Sequence, residues 1–254
     1  MAIYAMTGGA TGIGAALKEQ LREQGDGVIV VDIKDADIIA DLSTPQGRQA
    51  AIDGIREKAA DGLDGFIPCA GLGPHVPDPT LVARVNYFGV IATVEGVGEL
   101  VAKKNGSICF VSSNSAPMIK ADDPFVQLCL EGDEAKACEY VSQKDGQTAY
   151  AGSKRGLTIW MRKNVKEYAS RGVRMNAVAP GITRTPLTDA GMEHEVYGGA
   201  MKEFEKLTPV GGSAHPGQIA NAMRFLLSDE ASFVCGEVLF ADGGTDALMR
   251  PNDF

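Results

Sequence analysis

Short apolar runs alternate with stretches whose apolar positions recur every third or fourth residue, almost from end to end of the chain. The runs at 2–6, 28–32, 65–69, 107–112, 173–179 and 238–241 read as strands, and Val28-Ile29-Val30-Val31 suits a strand covered on both faces. Helical spacing marks Ile13, Ala16, Leu17 and Leu21, ended by Gly25, and then 45–58, 81–103, 150–170 and 216–227. Strand, helix and strand in succession require right-handed crossovers, hence a parallel sheet with helices on both faces. The pattern predicts an α/β fold with a doubly wound parallel sheet of about seven strands. Neither repeat nor linker divides residues 1–254, so one domain is expected. Pro68 cannot donate to a ladder, and its strand should end or bend there.

The turn after the first strand reads Thr7-Gly8-Gly9-Ala10-Thr11-Gly12-Ile13-Gly14. Glycines let a backbone approach a pyrophosphate, whose charge is favoured by the free N–H groups of a helix N-terminus. The spacing G-x-x-x-G-x-G meets the general dinucleotide fingerprint only approximately. Its place between strand and helix, with Asp32 closing the next strand, makes a Rossmann-type nucleotide site the expectation. A carboxylate at Asp32 can accept from both ribose hydroxyls and would repel a 2′-phosphate. Ile33 follows it and Lys34 is expected to point elsewhere, so NAD is the predicted cofactor. Asp41 and Leu42 suit the adenine edge and a packing wall.

Tyr150-Ala151-Gly152-Ser153-Lys154 puts a phenol and an ammonium on one helix face, where the ammonium is expected to lower the phenol's pKa. Ser113 ends an apolar strand upstream, with Ser112 as its rival. A hydroxyl at a strand tip and a helix-borne phenol can converge on one oxygen.

These segments, with Cys69-Ala70-Gly71, Asn86-Tyr87-Phe88-Gly89, Ala179-Pro180-Gly181 and Asp242-Gly243-Gly244, resemble the short-chain dehydrogenase/reductase family in its shorter form, over the whole chain. The resemblance implies a catalytic tetrad. Tyr150 would be the general acid or base, Lys154 would tune it and bind the nicotinamide ribose, Ser113 would hold the substrate oxygen, and Asn86 would anchor a water-mediated proton relay. It also implies that Gly8, Gly12, Ile13, Gly14, Asp32, Asp41, Leu42, Cys69, Ala70, Gly71, Tyr150 and Lys154 contact the cofactor, with Ile182 and Thr185 at the carboxamide. Cys69 stands where the family usually has an asparagine that braces the backbone, which puts local rigidity in question. An enoyl reductase of this fold would space its tyrosine and lysine more widely, and a sugar epimerase would need a larger substrate domain.

The family separates its serine and tyrosine by far less than the 37 positions between Ser113 and Tyr150. The extra segment, about 122–146, carries apolar positions at helical spacing and is read as one or two short helices near the site mouth, a disordered insertion being the alternative. With the ending DALMRPNDF it resembles family members that act on steroid alcohols. That implies reversible oxidation of a 3α-hydroxyl and a homodimer built through the other end of the subunit. A second variable stretch, 187–209, would form a substrate lid. Leu187 and Met192 are the predicted substrate contacts beside Ser113 and Tyr150, and Tyr197, Met201 and Phe204 either line the pocket or pack the lid. The partner is a small hydrophobic alcohol or ketone; a cyclic monoterpenol such as isopiperitenol remains the alternative, and a non-catalytic NAD-binding protein the alternative of another class.

Composition adds exclusions. A net charge of −9 disfavours nucleic-acid and anionic-membrane partners. The apolar runs are read as too short to span a membrane, and the N-terminus enters a strand without a leader, so a cytoplasmic enzyme is expected. Three scattered histidines give no metal site. The five cysteines read as reduced thiols, with Cys69, Cys109 and Cys235 in buried strands.

Overall fold

A computed structural model describes residues 1–253. Its seven strands are β1 (Ile3–Thr7), β2 (Gly27–Asp32), β3 (Ile38–Ile39), β4 (Gly65–Pro68), β5 (Ser107–Val111), β6 (Arg174–Pro180) and β7 (Val238–Ala241). All are parallel, in the order β3-β2-β1-β4-β5-β6-β7. The chain runs outward from β1 to β3, then returns to the other side of β1. That reversal opens a crevice at the carboxyl ends of β1 and β4, where ligands of such sheets bind. This is the Rossmann-type α/β fold. The short β3 carried no apolar run long enough to announce it.

The helices are α1 (Gly12–Glu23), α2 (Pro45–Lys58), α3 (Pro79–Ala83), α4 (Val90–Ala102), α5 (Pro124–Glu131), α6 (Glu134–Val141), α7 (Gly146–Ser170), α8 (Pro186–Glu193), α9 (Gly198–Lys206), α10 (Pro216–Leu227) and α11 (Thr245–Met249). Residues alternate between the sheet's two faces. Ala5, Val31, Phe66 and Phe110 bury against α2, α4 and α7, while Met6, Val30, Ile67 and Cys109 bury against α1 and α10. Pro68 does end its strand. Beside it β4 pairs with β5 only at Gly65 and Phe66, so the ladder splays before the proline.

The single helix expected over 81–103 is instead α3 and α4 joined by a π-helical turn, Arg84–Gly89, which carries Asn86. Pro79–Ala102 is long and apolar enough to cross a membrane, contrary to the sequence reading, but 61% of its most apolar stretch is buried inside the fold. Cys235 also departs from expectation: it is exposed in the turn before β7, whereas Cys109, Cys129 and Cys138 are buried, and all five cysteines are free.

The insertion forms two helices, α5 and α6, each capped by an aspartate: Asp123 accepts from the Phe125 amide and Asp133 from the Lys136 amide. They do not flank the site mouth. They pack on the outer side of α7 and α3, and Phe125, wholly buried, fits where Gly152 leaves α7 without a side chain. Apolar positions on both short helices draw them onto this face. Phe125→Ala should therefore cost about 3–5 kcal/mol of stability in a denaturant titration. A loss below about 1 kcal/mol would mark the insertion as a loose surface addition.

Candidate active site

A cleft of about 760 Å³ runs across the carboxyl ends of the strands. Its floor begins with the glycine turn. Gly8 and Gly12 have φ of +75° and +61°, which L side chains rarely adopt. A Cβ on Gly14 would stand 2.0 Å from the Gly8 carbonyl oxygen. The turn can close only without those side chains, and it leaves the first amides of α1 facing the cleft. Gly8, Gly12, Ile13 and Gly14 all line it. This cradle fits the pyrophosphate of a dinucleotide.

Asp32 is aimed by two backbone donors: the Ala10 amide gives to Oδ2 at 3.0 Å and the Ile33 amide to Oδ1 at 2.8 Å. Each oxygen keeps a lone pair for a ribose hydroxyl. Nearby cations are occupied or turned outward. Lys18 donates to the Gly9 carbonyl, Arg48 to the Leu42 carbonyl, and Lys34 is exposed. Asp41 and Leu42 continue the wall; Asp41 Oδ1 accepts from the Ser43 amide, so its carboxylate shapes the turn that presents Leu42. Cys69, Ala70 and Gly71 line the cleft opposite. The bracing that an asparagine would supply comes here from Thr7, whose hydroxyl accepts from the Ala70 amide while its carbonyl accepts from the Cys69 amide. Burial pushes the Cys69 thiol up to about 11 against the pull of Lys154, so it is not a thiolate at neutral pH.

At the other end Ser113, Tyr150 and Lys154 meet. Ser112 is excluded by geometry, since its hydroxyl pairs with Thr158 on α7 at 2.8 Å. The Ser113 hydroxyl faces the Tyr150 phenol, and its Oγ accepts from the Ser115 amide and hydroxyl at 3.1 and 3.0 Å. Lys154 is only 4% exposed and donates to the Val111 carbonyl at 2.7 Å. Burial lowers its pKa to about 8, with Cys69 opposing. The expected depression of the phenol by this ammonium is not what the structure shows. Burial raises the Tyr150 pKa, and the opposing influence is the neighbouring Ser113 hydroxyl. With a pKa of about 8 the group is largely an ammonium at neutral pH, and its hydrogen bond goes to the Val111 carbonyl rather than to the phenol.

Asn86 is fully buried and does not line the cleft. Its Nδ2 donates to the Leu72 carbonyl at 2.9 Å and its Oδ1 accepts from the Leu72 amide at 2.8 Å. The side chain is thus spent on bracing the loop after β4, because an amide can satisfy both groups of one buried peptide.

Ile182 and Thr185 line the cleft above the glycine turn, where a Cβ on Gly12 would stand 3.2 Å from Thr185 Cγ2. The Thr185 hydroxyl also caps α8, accepting from the Thr188 amide and donating to the Thr188 hydroxyl. The stretch expected to form a lid folds as α8 and α9. Leu187, Tyr197, Met201 and Phe204 reach the cavity, but Met192 does not. Five residues after Leu187, Met192 is rotated about 140° round α8, onto the side away from the cleft. Met118, Ser115 and Gln147 also line the pocket and were not anticipated. Gln147 had a readable signal, three residues before Tyr150 on the same helix face. Met118 and Ser115 had none, since a loop places them.

Residues 2–122 match the family model described as short chain dehydrogenase, and residues 137–246 that described as enoyl-(acyl carrier protein) reductase. The chain is 41% identical over its full length to the 3-alpha-hydroxysteroid dehydrogenase/carbonyl reductase of Comamonas testosteroni, covering all of that protein. It is 31% identical to the coniferyl-alcohol dehydrogenase of a Pseudomonas strain, over 94% of each. The crystal structure of 3-alpha-hydroxysteroid dehydrogenase from Pseudomonas sp. B-0831 complexed with NADH matches with a TM-score of 0.97 at 44% identity, covering 99% of this chain and 100% of that one. The chain belongs to the short-chain dehydrogenase/reductase family. It is an oxidoreductase acting on a CH–OH group, and the non-catalytic alternative falls away.

The buried ammonium has a pH signature. Its pKa, 10.5 unfolded, falls to about 8 on folding, so the folding penalty is full below pH 8 and fades as pH rises to 10.5. Lys154→Met should be more stable than the parent at pH 7, and the advantage should shrink across that window. A constant difference in thermal melts would mean that the ammonium is not the buried species.

Proposed function

We propose that this enzyme interconverts a 3α-hydroxyl and its ketone on a steroid, using NAD(H), as a cytoplasmic homodimer built from one domain. The observation that carries this reading is the meeting of the Ser113 hydroxyl and the Tyr150 phenol at the wall of a large, mainly apolar cleft. Two relatives of above 40% identity are named as 3-alpha-hydroxysteroid dehydrogenases, one of them solved with NADH. The comparisons lend no support to a terpenol substrate.

In this reading the glycine turn cradles the pyrophosphate, Asp32 takes the adenosine ribose, and Asp41 and Leu42 flank adenine. Ile182 and Thr185 hold the carboxamide, and Lys154 the second ribose. Bound NAD supplies the hydride acceptor. The substrate hydroxyl sits between Ser113 and Tyr150. Ser113, oriented by Ser115, fixes the oxygen, and Tyr150 as phenolate removes its proton. Asn86 positions the loop beneath rather than touching the reacting atoms. Leu187, Met201 and Phe204 close an apolar lid over the rings. Oxidation should rise with pH, because the base is the deprotonated phenol.

The insertion covers the outer face of α7, leaving the β7 end for self-association. There Phe225, Phe233, Leu248 and Met249 are exposed on α10, on α11 and before the edge strand. Reduced Cys109, Cys129 and Cys138 suit the cytoplasm.

Tyr150→Phe should lower turnover by about 10²–10⁴-fold or more while leaving NADH affinity within about twofold. Retained activity would remove the phenol from the mechanism. Asp32→Ala should weaken NADH and narrow its advantage over NADPH; a parent enzyme that already prefers NADPH would refute the ribose assignment. Turnover of 3α- and 3β-hydroxysteroids with NAD, followed by NADH absorbance, tests the substrate. Inactivity on every 3α-hydroxysteroid would end that part of the reading.

A further inference from the structure

Arg48, on α2, is 7% exposed, and its guanidinium joins three separate parts of the molecule. Nε donates to the Leu42 carbonyl at 2.8 Å, and Nη2 donates to the Arg84 carbonyl at 3.1 Å. Nη1 and Nη2 donate to Glu134 Oε2 and Oε1 at 2.6 and 2.9 Å, a bidentate pair. Leu42 walls the cofactor end of the cleft. Arg84 opens the π turn that carries Asn86, and Glu134 opens α6 in the insertion. The last residue of the π turn, Gly89, lies so close to Leu42 that an added Cβ would meet its side chain at 3.1 Å. Leu42 is therefore wedged between α2 and the π turn, and Arg48 is the bond that joins them.

We propose that Arg48 and Glu134 form a positioning pair through which the insertion sets the adenine end of the cleft, so that NAD(H) affinity depends on a carboxylate remote from the cofactor. A guanidinium buried this deeply needs a counter-charge. Glu134 supplies it, and the planar fork then holds the Leu42 and Arg84 carbonyls at a fixed spacing. Without the carboxylate the guanidinium turns toward water and releases both carbonyls. The wall beside adenine loosens while Ser113 and Tyr150 stay in place. The inference concerns nucleotide binding alone and does not depend on which alcohol is oxidised.

Glu134→Gln is the test. NADH titrated by fluorescence should bind about tenfold more weakly, one step of 1.4 kcal/mol, and AMP should weaken by the same factor. At saturating cofactor kcat should stay within about twofold of the parent, so the loss appears in KM. Lys136→Ala, at an exposed site on the same helix, should change neither. Arg48→Met combined with Glu134→Leu separates positioning from mere attachment, since an apolar pair can replace a buried ion pair without loss of stability. This variant should melt near the parent temperature and still bind NADH weakly. Parental NADH affinity in Glu134→Gln, or recovery of affinity together with melting temperature in the double variant, would overturn the proposal.

Discussion

The Lys154 ammonium bonded to the Val111 carbonyl joins the helix that carries the phenol to the strand that delivers the serine. Burying a cation is expensive, and the cost appears directly in a pKa lowered to about 8. The arrangement persists because α7 is held from both sides. Val111 lies at the end of β5, and on the outer side Phe125 fills the space at Gly152 while Tyr87 approaches Gly156. With α7 fixed this way, Tyr150 and Ser113 have little freedom except to face one another.

The two ends of the cleft are built by different physics. At the glycine-turn end the backbone shapes the cleft, through a turn with no room for side chains and a carboxylate aimed by two amides. At the Ser113 and Tyr150 end the lining is mainly apolar. Apolar side chains from two short helices, α8 and α9, surround a few hydroxyls, and in the proposed reading they would select bulk and one oxygen rather than a hydrogen-bond pattern.

The insertion belongs to neither end. It covers the outer side of α3 and α7 and reaches the cleft only through the fork of Arg48. The near-complete match to the solved Pseudomonas dehydrogenase, at a TM-score of 0.97, extends over this segment, so the two-helix addition is part of a shared architecture. In the proposed homodimer this addition would keep the outer face of α7 out of the subunit contact.

The fold class, the strand and helix succession, the glycine turn, Asp32 and the Tyr150–Lys154 face were legible in the chain, because each follows from local rules: periodicity, backbone sterics and spacing along one helix. Ser113 was legible only as one of two hydroxyls until packing turned Ser112 toward Thr158. Contacts between distant segments decided the rest. Asn86 was named but its commitment to Leu72 was not visible, Met192 was assigned to a pocket from which helix rotation removes it, and nothing in the spacing along α2 marked Arg48 for burial. Orientation and burial depend on what a side chain meets across the fold. The sequence by itself therefore determined which chemistry the chain carries, and the tertiary structure decided which groups face the cleft and which hold it in shape.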